Sequence, residues 1–199
     1  MRNPLVEAAK TIVKALIYRP IGVRMGKESV FRFPWSLGNR NRIKVGSNTR
    51  IGANATLQPL AQYRGKAHDG RISIGSNVYI GGRLYIFAID HVVIGDGCVL
   101  SEDVYITDNG HGLDPRAGSI MDQALTSRGP VRLGRNVFVG YGCSIMDGVE
   151  LGDHCVVGTR SVVTKSFPPY SMIAGTPARL IKVYDPNSAA WIPAPAADG

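Results

Sequence analysis

One aliphatic residue recurs every six positions through most of this chain. Starting from Val45, successive hexads begin with Val45, Ile51 and Leu57; Ile74, Ile80 and Ile86; Ile94, Leu100 and Ile106; Leu133, Val139 and Ile145; and Leu151, Val157 and Val163. Glycine is the next residue after Val45, Ile51, Ile74, Ile80, Ile94, Leu133, Val139, Leu151 and Val157. A helix repeats every 3.6 residues and a strand every two, so neither holds this phase over so many units.

A period of six has a direct physical solution. One large aliphatic side chain points inward, the short strand around it pairs with the strand of the next coil, and a tight turn follows. Three hexads close one turn of a triangular prism. Stacking the coils about 4.8 Å apart pairs their backbones and builds an apolar column that no single coil could bury. The expected fold is all-β, a parallel β-helix prism, and the periodicity leaves its hand open. The fifth hexad position also points inward and is small or medium in size: Thr49, Ala55, Val78, Val104, Val137, Val149 and Ser161. All three cysteines, Cys98, Cys143 and Cys155, fall on it. Cys98 and Cys155 share a side two coils apart, too far to bridge. They are expected as reduced core residues, and no zinc-ligand spacing is present.

Composition bounds the partners. A hydrophobic content of 44% supports a compact domain, and the formal charge is +8. That charge suits solubility, an anionic ligand or contact with an acidic membrane surface. No basic run with interleaved aromatics appears, which argues against nucleic acid. Residues 4–18 carry apolar residues at helical spacing and are expected as an amphipathic helix that caps the prism. The apolar stretch 12–18 is broken by Lys14 and is far short of a membrane span, and no signal-peptide pattern is visible. A cytoplasmic location is the expectation. The domain boundaries expected are 1–44 for the helix and cap, 45–168 for the prism and 169–199 for a C-terminal cap and tail.

Three interruptions break the repeat. Residues 63–73 form an insertion with Arg64, Lys66, His68 and Asp69, and Val92–Val93 mark a two-residue slip. The largest break, 112–132, leaves the prism directly after His111. Long excursions from a rigid repeat are where binding residues are usually carried.

The stretch LGRNVFVGYGCSIMDGVELGDHCVVGTRSVVTKSFPPYSMIAGTPARLIK closely resembles the C-terminal signature of the left-handed β-helix acyltransferases of the hexapeptide-repeat superfamily. The similarity covers about 45–183 and is greatest to the sugar and polysaccharide O-acetyltransferases. It implies a left-handed prism, a homotrimer and acetyl-CoA as co-substrate. It also implies an acceptor that is a sugar, a nucleotide-sugar or a lipid-linked glycan, as in surface polysaccharide or glycolipid biosynthesis, with no metal.

Acyl transfer to a hydroxyl needs a base within hydrogen-bond reach, and histidine titrates in the right range. His111 lies in TDNGHGLDP, which resembles both the T-x-x-H-P-x-D-P segment of the small-sugar enzymes and the D-H-N-H-G segment of the polysaccharide enzymes. The resemblance implies that His111 deprotonates the acceptor, which attacks the thioester directly. Asn109 stands where the second motif has a further histidine. Asp114 is the first candidate to orient His111, ahead of Asp108 and Glu150, and Asp108 is also a candidate substrate contact. The family pattern places Gly142 and Gly158 against the pantetheine arm, Thr164 and Lys165 on its TK pair, and Arg179 and Lys182 near the phosphates. Phe138 takes the place of a tryptophan beside the base, as a substrate-side wall.

Two other activities stay open. An N-acetyltransferase acting on a nucleotide-amino-sugar would use the same parts. A metal-dependent hydratase of the γ-carbonic-anhydrase kind would need three histidine ligands, and His91, His111 and His154 lack the close pair expected. His68 and His154 read as surface residues. A catalytically silent scaffold would leave the His111 segment without purpose.

Overall fold

The computed structural model describes residues 19–194, so the helix expected at 4–18 lies outside the described residues. The chain winds as a left-handed parallel β-helix with three flat faces. The first face stacks Arg24–Met25, Ile43–Val45, Arg71–Ile74, His91–Ile94, Val131–Leu133 and Glu150–Leu151. The second stacks Val30–Phe31, Arg50–Ile51, Tyr79–Ile80, Val99–Leu100, Phe138–Val139, Val156–Val157 and Ser171–Gly175. The third stacks Trp35–Leu37, Ala55–Pro59, Tyr85–Ala88, Tyr105–Thr107, Ser144–Ile145 and Val162–Val163. Among the described residues no helix is long and apolar enough to cross a membrane.

The register is that of the hexads. Ile80 pairs with Ile51 below it and Leu100 above it, and Leu100 with Val139. Thr49, Ala55, Val78, Val104, Val137, Val149 and Ser161 are all buried, as the fifth-position pattern requires. The stack begins one coil earlier than the aliphatic count from Val45. Met25, Phe31 and Leu37 lie opposite Val45, Ile51 and Leu57. Methionine and phenylalanine fill the inward position there, so a search for Ile, Leu and Val passes over that coil.

The corners explain the asparagines and glycines of the fourth hexad position. Asn48, Asn54, Asn77 and Asn136 adopt φ of 53°, 62°, 57° and 55°, the left-handed region where asparagine is tolerated and most residues are strained. Glycine follows the inward aliphatic because coils touch there. A Cβ on Gly52 would lie 2.5 Å from the Gly81 carbonyl carbon. At the C-terminal end Ser171–Gly175 continues the second face in parallel, and Ala178–Asp185 and Ala190–Pro193 then fold back antiparallel.

All three cysteines are free and buried. Burial pushes the Cys98 thiol up to about 11 and raises Cys143 and Cys155 as well. The native protein should therefore leave a thiol reagent at pH 8 unreacted and titrate all three thiols once unfolded. Fast labelling of the native protein would contradict this packing.

Candidate active site

Every long interruption of the repeat leaves the prism at one edge, where the third face turns into the first. The insertion there is a short hairpin, Gln62–Tyr63 against Lys66–Ala67. The next coil turns this corner through 89–90, the following one carries the excursion, and 146–149 and 164–167 complete the edge. We refer to it as the His111 edge.

Asp108 fixes the corner from which His111 departs. Its carboxylate is fully buried and accepts hydrogen bonds from the Ile89 N–H at 2.8 Å and the Asp90 N–H at 2.9 Å, on the coil below. The Asn109 amide donates to the same carboxylate at 3.1 Å and to the Phe87 carbonyl at 3.3 Å. Burial raises the Asp108 carboxyl above the usual carboxylate range, against the pull of these donors. The expectation that Asp108 meets substrate is corrected by this placement: its oxygens clip two coils together and are out of reach of a ligand.

His111 forms a two-residue antiparallel ladder with the returning arm of the excursion, Gly110–His111 against Leu125–Thr126. The Tyr63 ring meets the imidazole edge-on, with centroids 5.8 Å apart and planes at 66°. The Tyr63 hydroxyl donates to the Met121 carbonyl at 3.1 Å, and Arg64 Nε donates to the same oxygen at 2.9 Å. Arg64 also pairs with Asp122 at 2.9 Å. The hairpin therefore holds the excursion and touches the histidine at once. His111 Nδ1 is buried and has no hydrogen-bond partner among the described residues. Asp114, expected to orient it, instead pairs with Arg116 at 3.1 Å, and the guanidinium holds its carboxyl below the usual range. Glu150 lies opposite Arg132 on the first face.

The residues assigned to the cofactor sort onto different parts of the prism. Thr164 and Lys165 share the His111 edge. Arg128, on the return of the excursion, donates to the Thr164 carbonyl at 3.4 Å and pairs with Asp147 at 2.9 Å. The Lys165 ammonium sits 5.6 Å from the Phe167 ring centroid. Gly142 and Gly158 occupy another edge, where the second face turns into the third. Gly142 turns this corner with φ of 67°, a conformation glycine adopts without strain, while Arg160 holds the equivalent corner one coil on at 57°. A Cβ on Gly158 would come within 2.9 Å of the Ala174 side chain, so the closing strand of this chain already requires glycine there. Phe138, 41% exposed, lies on the second face between Val99 and Val156. Arg179 and Lys182 are exposed on Ala178–Asp185, opposite Ala174 and Met172. Within one chain Phe138, on the second face, lies apart from His111, which opens the excursion.

The other histidines sit apart from His111, and His154 is exposed as expected. His91 Nε2 is 2.9 Å from the Ser73 hydroxyl, and burial followed by the Arg132 and Arg71 charges lowers its pKa. His154 stacks flat on Tyr170 at 5.1 Å, and His68 Nε2 is buried without a partner among the described residues. His91 and His154 lie on different sides of the prism from each other, which leaves the three-histidine set of a hydratase ungathered. Tyr63 is the site residue that sequence reasoning missed. Its signal was an aromatic beside Arg64 in an insertion on the edge that carries the excursion.

Comparisons with known proteins agree with this architecture. A family model for the bacterial transferase hexapeptide (six repeats) matches residues 130–165, and one for the hexapeptide repeat of succinyl-transferase matches 71–108. WbbJ of Escherichia coli K12, named provisionally as a lipopolysaccharide biosynthesis O-acetyl transferase, is 30% identical over 81% of this chain and 82% of its own. The galactoside O-acetyltransferase of the same organism is 32% identical over 79% of this chain and 76% of its own. Among solved structures, AntD, an N-acyltransferase of Bacillus cereus bound to dTDP and 3-hydroxybutyryl-CoA, superposes with a TM-score of 0.67 at 20% identity, over 92% of this chain and 90% of that one. A galactoside acetyltransferase bound to coenzyme A gives 0.57 at 22%, over 94% and 76%.

Replacing Asp108 by alanine strips the acceptor from two backbone N–H groups. It should cost about 3 kcal/mol of unfolding free energy, the scale of hydrogen bonds to a charged group. Urea denaturation measures it, and an unchanged midpoint would mean that the corner is held by something else.

Proposed function

The chain belongs to the hexapeptide-repeat acyltransferases, in the sugar O-acetyltransferase branch, and on that premise we propose that it transfers an acetyl group from acetyl-CoA to a hydroxyl of a sugar in a glycan-building pathway. His111 is the general base. The acceptor oxygen attacks the thioester carbonyl carbon as its proton passes to the imidazole. The C–S bond then breaks, and the departing sulfur recovers the proton. The observation that carries this reading is the setting of His111. It stands at the mouth of the excursion with its ring flanked by Tyr63 and Nδ1 turned into the protein, which leaves Nε2 open to an acceptor. Lys165, Arg179 and Lys182 supply positive charge for the cofactor phosphates.

The active unit in this proposal is a homotrimer. His111 and the glycines of the cofactor pattern lie on different edges of one rigid prism, with the third face between them. A cyclic assembly about an axis parallel to the prism keeps every coil at its own level, and so brings the His111 edge of one chain against the Gly142 edge of the next. The relatives that build or modify glycans support a sugar, nucleotide-sugar or lipid-linked acceptor. A cytoplasmic location follows from a cofactor of the cell interior.

His111→Ala should lower turnover by roughly 10²–10⁴-fold, the usual contribution of a general base, while acetyl-CoA binding by calorimetry persists. Near-normal turnover by this variant would remove the mechanism. Light scattering should give the mass of three chains. A panel of sugars and amino-sugars read by free thiol release should favour hydroxyl acceptors.

A further inference from the structure

The Gly142 edge carries a second feature, towards the N-terminal end of the prism. A recess of about 300 Å³ opens there across four coils, a size at the lower end of small-molecule sites. Its floor is bare backbone at Gly52 and Gly81, where coils lie so close that a Cβ on Gly81 would fall 2.7 Å from the Glu102 nitrogen. Arg32, Arg50 and Tyr79 form its walls. Arg50 and Tyr79 are ladder neighbours, so their side chains leave the second face side by side. The Tyr79 ring is 52% exposed.

The charges are arranged unevenly. Arg83, on the rim, is held by Asp103 in a bidentate pair, Nε to Oδ1 at 2.5 Å and Nη2 to Oδ2 at 2.7 Å. The Arg83 guanidinium holds the Asp103 carboxyl below the usual range. Arg32 and Arg50 have no ion pair among the described residues, although both border the same recess. The opposing group is Glu102, on the rim towards the C-terminal end. These two guanidiniums, without an ion pair among the described residues, present planar forks of donors that match phosphate oxygens. Beside them, an open aromatic face and a floor without side chains admit a flat ring.

We propose that this recess binds the diphosphate of the acceptor, with Arg32 and Arg50 on the phosphate oxygens and Tyr79 beneath the adjoining ring. The inference rests on the acetyltransfer reading, and it names the acceptor as a sugar joined to a diphosphate rather than a free sugar. The level of the site is consistent with that role. The rim residue Glu102 and the base His111 belong to the same coil, and Gly142 and Gly158 follow on the next two coils along the same edge as the recess. A diphosphate held among the N-terminal coils would therefore leave the sugar at the level where base and cofactor meet in the assembly.

Inorganic pyrophosphate is the direct probe. It should bind the wild-type protein and compete with the acceptor, and Arg32→Ala and Arg50→Ala should each weaken that binding roughly tenfold or more, the scale of a charge-assisted hydrogen bond. Both residues are exposed, and an unchanged melting temperature and KM for acetyl-CoA would show that the variants are folded. The acceptor arms compare a nucleoside-diphosphate sugar, a short-prenyl-diphosphate sugar and the free sugar. KM should rise in the variants for whichever diphosphate form is used, and Tyr79→Ala should raise it further for the nucleotide if the ring beneath the phosphates is a base. Equal pyrophosphate affinity in wild type and both variants would overturn the proposal. So would a free sugar used as well as its diphosphate forms, and that result would leave the His111 mechanism standing. Conversely, normal turnover by His111→Ala would remove the mechanism and leave pyrophosphate binding untouched.

Discussion

Each inward aliphatic at the first hexad position rests on the one below it and carries the one above. Ile51, Ile80, Leu100, Val139 and Val157 make one such column on the second face, all essentially without exposure. A two-residue strand has too little of its own to bury, so its stability is borrowed from both neighbours through this contact and the backbone ladder. The ladder in turn fixes the spacing, and the spacing forces glycine where coils touch. The left-handed corners, their asparagines and the buried fifth position all follow from keeping that column unbroken.

A frame of this kind has few places for chemistry. Most side chains within the repeat fill the column or stand on a flat face, and the recess at Arg32, Arg50 and Tyr79 forms only where four coils line up at an edge. The interruptions add the setting of the base. They share one edge, so a hairpin from one coil can reach an excursion that leaves two coils later. Arg64 and Tyr63 grip Met121 and Asp122 across a sequence gap of more than fifty residues. The same hairpin places an aromatic ring against His111. Asp108 works below that level, joining the corner of one coil to the backbone of another, so the base stands on a braced corner rather than a loose loop.

Periodicity made the frame legible because every coil solves the same packing problem with similar residues. The cysteines could be placed in the core from their hexad position alone. Where a coil used different residues the signal faded, as at Met25 and Phe31, which satisfy the same inward position with side chains outside the aliphatic set. The site was readable to the level of which edge, and no further. Asp114 looked well placed for His111 by sequence distance, but Arg116 is two residues away and takes its carboxylate. Tyr63 could not be paired with His111 from sequence, since their meeting depends on the path of two irregular segments. Asp108 resembled a loop carboxylate, and only the coil beneath it reveals two N–H groups in need of an acceptor.

The rigidity that makes the fold predictable also constrains how a complete site can form. In many enzymes two groups far apart in the open state meet when a lid or domain closes. The His111 and Gly142 edges cannot meet in that way, because the third face between them is a hydrogen-bonded ladder over a filled core. Bringing them together within one chain would mean breaking the column that every coil depends on. A second copy alongside costs nothing of the kind, since each prism presents both edges outward along its length. In the proposed trimer, symmetry gives each chain one complete site from two halves. The excursion, with Leu113, Ile120 and Met121 exposed on it at 76%, 51% and 56%, offers apolar surface for such a neighbour to cover. The aliphatic column thus determines the oligomeric logic of the proposed enzyme as well as its fold.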